Sequence, residues 1–325
     1  MGGDEFMISL DDLNVKEKKD TSAEIIRGIA AKFMELGAQI GGFDMYCTSD
    51  VLIGSGISSS AAFEILACTI IDSYYNGNKS DTVEIAKKGQ YAENIYFGKK
   101  SGLMDQVVSS VGGLVFIDLH DTENPEIKNL QFDFEKSGYC LCITDTKGSH
   151  SGLTDDYAAV RAEMESVAEY FGKEYLRDVN ENDFYSNIAK IRERCGDRAI
   201  LRTAHFFNEN IRAKQEYTAL TDENMEYFFE LVRQSGDSSA NLLQNLYSVS
   251  DPHAQAIPIG IMLSKHILGG KGAVRVHGGG FAGTIQAFVP ISMVQKYAGE
   301  MNRIYGENSC YILSIRPVGG IEITK

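Results

Sequence analysis

The chain has 325 residues, 43% of them hydrophobic, and a formal net charge of −14. That length suggests two domains with room for sizeable cores, and the acidity argues against nucleic acid or an anionic membrane as the main partner, since both demand a cationic surface. No apolar run approaches the ~20 residues that cross a bilayer. No basic stretch followed by an apolar one reads as a signal peptide, and the six cysteines form no Cys-x-x-Cys pair, so reduced thiols in a cytoplasmic protein are expected.

In chain order, Phe6 to Leu10 reads as a short strand. Thr21-Ser22-Ala23-Glu24 reads as a capping box opening a helix, on which Ile25, Ile26, Ile29, Phe33 and Met34 recur at helical spacing. Gly41-Gly42 breaks that pattern, and Phe43 to Val51 alternates weakly, as a strand does. A Gly/Ser stretch, Gly54 to Ser60, then leads into a helix over 59–76. A second helix over 81–97 carries Val83, Ile85, Ala92, Ile95 and Tyr96 on its apolar side. Beyond the polar segment 98–102, strands are predicted at 113–119, 127–134 and 139–146. A helix follows over 155–171, its first turn holding Asp155 and Asp156, where negative charge is favoured. Three or four helices fill 181–267. Strand character returns over 275–288, Pro290 opens a last helix, and 311–315 ends as a strand. Strands and helices mix without βαβ alternation, so α+β is expected rather than a Rossmann sheet. The domain boundary is placed where strand character gives way to helices, giving domains 1–147 and 148–325.

Three places carry candidate chemistry. In Gly54-Ser55-Gly56-Ile57-Ser58-Ser59-Ser60, small side chains let backbone N–H groups approach an anion, at a helix N-terminus that adds about half a positive charge. Its bland counterpart is a Gly/Ser turn capping a buried helix, and no Gly-Lys-Ser/Thr follows as in a P-loop. Gly278-Gly279-Gly280-Phe281-Ala282-Gly283 lets the backbone pass close to another element or a ligand. Asp105, between a glycine-bearing loop and Val107-Val108, suits a partly desolvated base or hydroxyl acceptor, or else an N-cap for residues 106–111. Glu93, on the apolar-striped helix, is either a hard oxygen ligand fit for Mg²⁺ or a solvated helix residue. No Cys/His spacing fits zinc, and no Gly-x-Ser-x-Gly elbow is present.

In this order the motifs resemble the GHMP small-molecule kinases, and within them the galactokinase branch. The segment from Val51 to Ala61 is similar to the family's second motif, with Leu52 in place of the usual proline. Lys100-Ser101-Gly102-Leu103-Met104-Asp105-Gln106 is similar to its sugar-site segment. Ser149-His150-Ser151 with Tyr157 and Arg161 resembles the segment supplying a sugar-contacting tyrosine, and Arg275 to Gly283 the third motif. The resemblance implies a two-domain fold, an S5-domain-2-like N-terminal domain that is incomplete at its start and a ferredoxin-like C-terminal domain. It implies that Gly54, Ser55, Gly56, Ile57, Ser58, Ser59 and Ser60, with Gly279 and Gly280, hold ATP. Ser60 and Glu93 would hold Mg²⁺. Gly102 and Tyr157 would fix galactose, and Asp105 would face its C1 hydroxyl as base or orienting acceptor. The products would be galactose-1-phosphate and ADP, and the protein a monomer.

The signature Gly-Arg-x-Asn-Leu-Ile-Gly-Glu-His-x-Asp-Tyr, which supplies sugar ligands and an arginine beside the catalytic acid in such enzymes, is absent from the sequence. A cation there stabilises the transferring phosphoryl group, and an arginine finger is worth about 10³–10⁵ in rate. Little or no galactose turnover by this chain alone is therefore expected, with nucleotide binding kept. A sensor that binds galactose or nucleotide without turnover, a kinase for N-acetylgalactosamine, and a structural domain with incidental glycines are the alternatives.

Overall fold

A computed structural model describes residues 5–16, 21–51, 58–149 and 152–323. They form two compact units: Met1–Gln131 with Ile315–Lys325, and Phe132–Ser314.

The first unit is mostly helical. Helix α1 (Ser22–Glu35) starts at Thr21, whose extended backbone lets its hydroxyl oxygen accept the Glu24 N–H at 3.4 Å. Glu24 turns its carboxylate to Arg27, at 3.2 Å. The capping box with both arms present belongs instead to Asp81 and Glu84, at the start of α3 (Thr82–Tyr91). Ile25, Ile29 and Phe33 of α1 pack with Ile65, Cys68 and Ile71 of α2 (Ser59–Ile71) and with Ala86 and Val107 in one core. Gly28 brings α1 close to the segment that follows α3: a Cβ there would stand 2.7 Å from the Tyr96 ring. Helices α2 and α3 both run on into wide π turns, Asp72–Asn76 and Ala92–Phe97. Helix α4 (Met104–Val111) leads to a hairpin of β1 (Leu114–Asp118) and β2 (Glu126–Leu130), Leu114 opposite Leu130.

The chain's last segment closes this unit. Gly113 N–H donates to the Arg316 carbonyl at 2.8 Å. A Cβ on Gly112, at φ +72°, would collide with the backbone of Val318, and one on Gly319 with the Ser110 carbonyl.

The second unit is built on an antiparallel sheet. Strand β3 (Tyr139–Asp145) is followed by α5 (Thr154–Tyr170), α6 (Glu181–Ser186), α7 (Ile188–Cys195), α8 (Asp197–Thr221), α9 (Met225–Ser238) and α10 (Ala256–Leu268). Strands β4 (Ala273–Val276) and β5 (Thr284–Pro290), helix α11 (Val294–Tyr305) and β6 (Cys310–Leu313) complete it. The strand order β4-β5-β3-β6, with helices between β3 and β4 and between β5 and β6, is the ferredoxin-like arrangement. Cys142, Val276, Ile285 and Ala287 on the strands and Ile257, Tyr297 and Met301 on the helices form its core. All six cysteines are free.

The α+β, two-domain expectation holds, but three details differ. Segments 6–10 and 43–51 adopt no strand, and Tyr46 is 91% exposed. Neither has a partner strand among the described residues, and even a lone hairpin is marginal in water. The units divide at residues 131 and 132 rather than at 147, because β3 pairs along its length with β5 and β6. Residues 315–323 join the first unit, a return that needs the glycine contacts just described. Among the described residues no helix is long and apolar enough to cross a membrane.

Candidate active site

In the first unit the candidate residues meet at the start of α2. Ser58, its N-cap, sits at φ 53°, an uncommon backbone for a residue with a Cβ. Its hydroxyl does not cap its own helix; it donates to Asp105 Oδ2 instead. Asp105 lies in the first turn of α4, behind the N-cap Leu103, so it is not the N-cap itself. The first-turn amides of α2 thus have no side-chain cap, which leaves them available to an anion.

One turn into α2, Ser60 Oγ donates to Glu93 Oε1 at 3.3 Å. Glu93 is only 1% exposed, so the solvated reading of it fails. It is the second residue of the π turn Ala92–Phe97, whose extra residue per turn shifts the side-chain phase. The chain then bends back at Gly98, which takes φ +88°, and the N–H groups of Gly98 and Lys99 both donate to the Glu93 carbonyl. That bend brings Lys99 Nζ to 2.9 Å from Glu93 Oε1 and Ser101 Oγ onto Glu93 Oε2. The Gln106 amide completes the set, donating to Glu93 Oε2 at 3.0 Å and to Glu64 Oε2 at 2.9 Å.

Two buried acids therefore share one amide, with opposite electrostatics. Burial resists ionisation of Glu93, but the donors Ser101, Lys99 and Gln106 outweigh it and hold the carboxyl below its usual range. Glu64, 0% exposed and in no ion pair among the described residues, is pushed up to about 7 by burial, with Glu93 and Asp105 adding repulsion against the pull of Gln106 and Lys99. Glu64 Oε1 and Gln106 Oε1 are buried without a partner among the described residues.

Gly54, Ser55, Gly56 and Ile57 lie outside the described residues. Gly102 follows Ser101 with open space around its Cα. Ser59 and Ser60 form the first turn of α2.

In the second unit the glycine loop 278–283 joins β4 to β5. Tyr157 of α5 donates its hydroxyl to the Gly280 carbonyl at 2.8 Å, and its ring meets Phe281 edge-on at 5.3 Å. Asn245 clamps the same loop: its carbonyl accepts the Phe281 N–H, and its side-chain amide donates to the Gly279 carbonyl at 3.0 Å. A Cβ on Gly279 would stand 3.0 Å from the Tyr157 ring, and one on Gly280, at φ +78°, would strike the Asn245 carbonyl. The close approach that these glycines permit is to Asn245 and Tyr157.

Sequence reasoning assigned no role to Glu64, Lys99, Gln106 or Asn245. Glu64 had a signal: it is an acid inside the apolar run 63–71, one helical turn after Ser60 and so on the same face.

A family model described as the GHMP kinases N terminal domain matches residues 24–113. The chain is 30% identical over 324 residues to a galactokinase of Clostridium tetani (strain Massachusetts / E88), covering 97% of this chain and 79% of that protein. It is also 30% identical to a galactokinase of Glaesserella parasuis serovar 5 (strain SH0165), over 86% and 70% of the two chains. The crystal structure of Lactococcus lactis galactokinase complexed with galactose superposes with a TM-score of 0.74 at 20% identity, over 96% of this chain and 79% of that one. The two units together thus have the fold of a GHMP-type phosphotransferase. Within that class, the extent and identity of these matches place the chain in the galactokinase family.

Proposed function

We propose that the chain transfers the γ-phosphoryl group of ATP to the C1 hydroxyl of galactose, giving galactose-1-phosphate and ADP. The observation that carries this reading is the Ser58–Asp105 hydrogen bond. It ties the acid to the uncapped N-terminus of α2, so phosphates received by those amides lie beside Asp105. Asp105 accepts the hydrogen bond of the C1 hydroxyl and takes its proton as the new O–P bond forms. The remaining work is positioning and charge stabilisation. The Ser60 hydroxyl and the Glu93 carboxylate are hard oxygen donors side by side, a set that fits Mg²⁺, which takes one or two carboxylates together with substrate phosphates. Bound there, magnesium supplies charge neutralisation of the phosphates. Among the described residues no Lys or Arg pairs with Asp105, which is why a low absolute rate is expected.

The test is galactose-dependent ADP release by the parent chain and by Asp105→Asn, with ATP binding followed alongside. General-base groups contribute about 10²–10⁴-fold, so the variant should lose at least that lower figure while still binding ATP. Equal rates in the two proteins refute the assignment. Saturable stabilisation by ATP and galactose with no ADP release from the parent would reduce the reading to ligand binding.

A further inference from the structure

The four side-chain donors around Glu93 fall two on each oxygen, but only one of them carries a charge. Oε2 is held by Ser101 and Gln106, both neutral. Oε1, the oxygen that faces Ser60 and the start of α2, is held by the Lys99 ammonium. We infer that Lys99 is a stand-in counter-ion that neutralises Glu93 while the metal is absent and gives up Oε1 when magnesium arrives with the nucleotide. This rests on the reading of Ser60 and Glu93 as the metal-binding pair.

Three features support it. Glu93 is buried, and an uncompensated carboxylate there would be costly or would take up a proton. A counter-ion is therefore needed whenever the metal is absent. Lys99 can supply that charge and leave at little cost, because its side chain is 59% exposed while that of Glu93 is 2% exposed. Its flexible stem gains rotamer freedom on release. Finally, the neutral bonds on Oε2 and the backbone bonds from Gly98 and Lys99 to the Glu93 carbonyl do not depend on Lys99's side chain. They keep the carboxylate in place while one cation replaces the other.

The lysine and the metal compete for one oxygen, so removing the lysine should favour the metal. The experiment is calorimetric titration of ADP binding at a series of magnesium concentrations, and in its absence, for the parent, Lys99→Gln and Lys99→Arg. In Lys99→Gln the half-saturating magnesium concentration should fall by at least about fivefold, the low end of ordinary coupling between sites. Metal-free ADP binding should stay as in the parent, and Lys99→Arg should restore the parent's magnesium requirement. A merely structural lysine would change thermal stability without moving the magnesium requirement. An unchanged or raised requirement in Lys99→Gln overturns the inference, as does weaker metal-free ADP binding, which would put the ammonium on the phosphates. If the parent's ADP binding shows no response to magnesium, the metal reading of Ser60 and Glu93 fails, and this inference with it.

Discussion

Replacing Glu64 by glutamine should stabilise the protein, and more so the higher the pH. The side chain is fully buried, shares the Gln106 amide with a second acid, and leaves Oε1 without a partner. Its carboxyl is raised to about 7, burial being the largest cause, against ~4.3 for a free glutamate. The folded state thus holds this proton more tightly than the unfolded chain. Its stabilising effect is complete below about pH 4 and is lost as the pH rises through about 7. At 1.36 kcal/mol per pH unit, ionising Glu64 in place costs roughly 3–4 kcal/mol at pH 8. At pH 5 the cost is only about 1 kcal/mol by the same arithmetic. Glutamine has nearly the same shape and can still accept from Gln106. His205, lowered to about 4 chiefly by burial, loses stability in the opposite sense as the pH falls below ~6.5, but both proteins share it and the difference cancels. Melting curves of parent and Glu64→Gln without nucleotide or metal, at pH 5 and pH 8, supply the comparison. The variant should melt roughly 5–10 °C above the parent at pH 8 and only slightly above it at pH 5. An offset that does not change with pH would show that no carboxyl at this position titrates near neutrality.

Glu93→Ala should abolish the magnesium dependence of ADP binding while leaving metal-free ADP binding measurable, read by the same calorimetry; a parent-like magnesium response would remove Glu93 from the metal site. Gly280→Ala forces a Cβ into the Asn245 carbonyl at φ +78°, with left-handed strain of ~1–2 kcal/mol and overpacking of ~1–3 kcal/mol. It should destabilise the second unit by about 2–5 kcal/mol in urea melts. Gly278→Ala, at φ +68° with nothing within 4 Å, should show the strain alone; equal losses would refute the clash.

Much of this was legible in the residues. The helix at Ser59 follows from a serine run ahead of an apolar stripe, and the strands of the second unit from their apolar runs and glycine loop, while the ferredoxin-like pairing came only with the family resemblance. What escaped depends on distances that sequence spacing does not encode. Lys99 meets Glu93 because the π turn at 92–97 breaks the 3.6-residue phase and Gly98 then reverses the chain. Gln106 was visible in its motif, but its double hydrogen bond needs Glu64 from another helix. The segments at 6–10 and 43–51 have strand-like composition, yet a strand requires a neighbour as well as a propensity. The expected boundary at 147 treated domains as consecutive stretches of sequence, whereas β3 takes its partners from positions 284–290 and 310–313.

The return of residues 315–323 has a consequence for how the molecule is made. Gly113 waits for Arg316, Ser110 for the close packing of Gly319, and Ser73 for Glu322, whose carboxylate accepts its hydroxyl at 2.7 Å. On a ribosome, domains emerge and fold from the N-terminus onward. Here the first unit cannot be completed before the second has been made, because the pieces that seal it are translated only after the whole of 132–314. The nascent helices around Asp105 therefore remain unsealed until residues 315–323 have emerged.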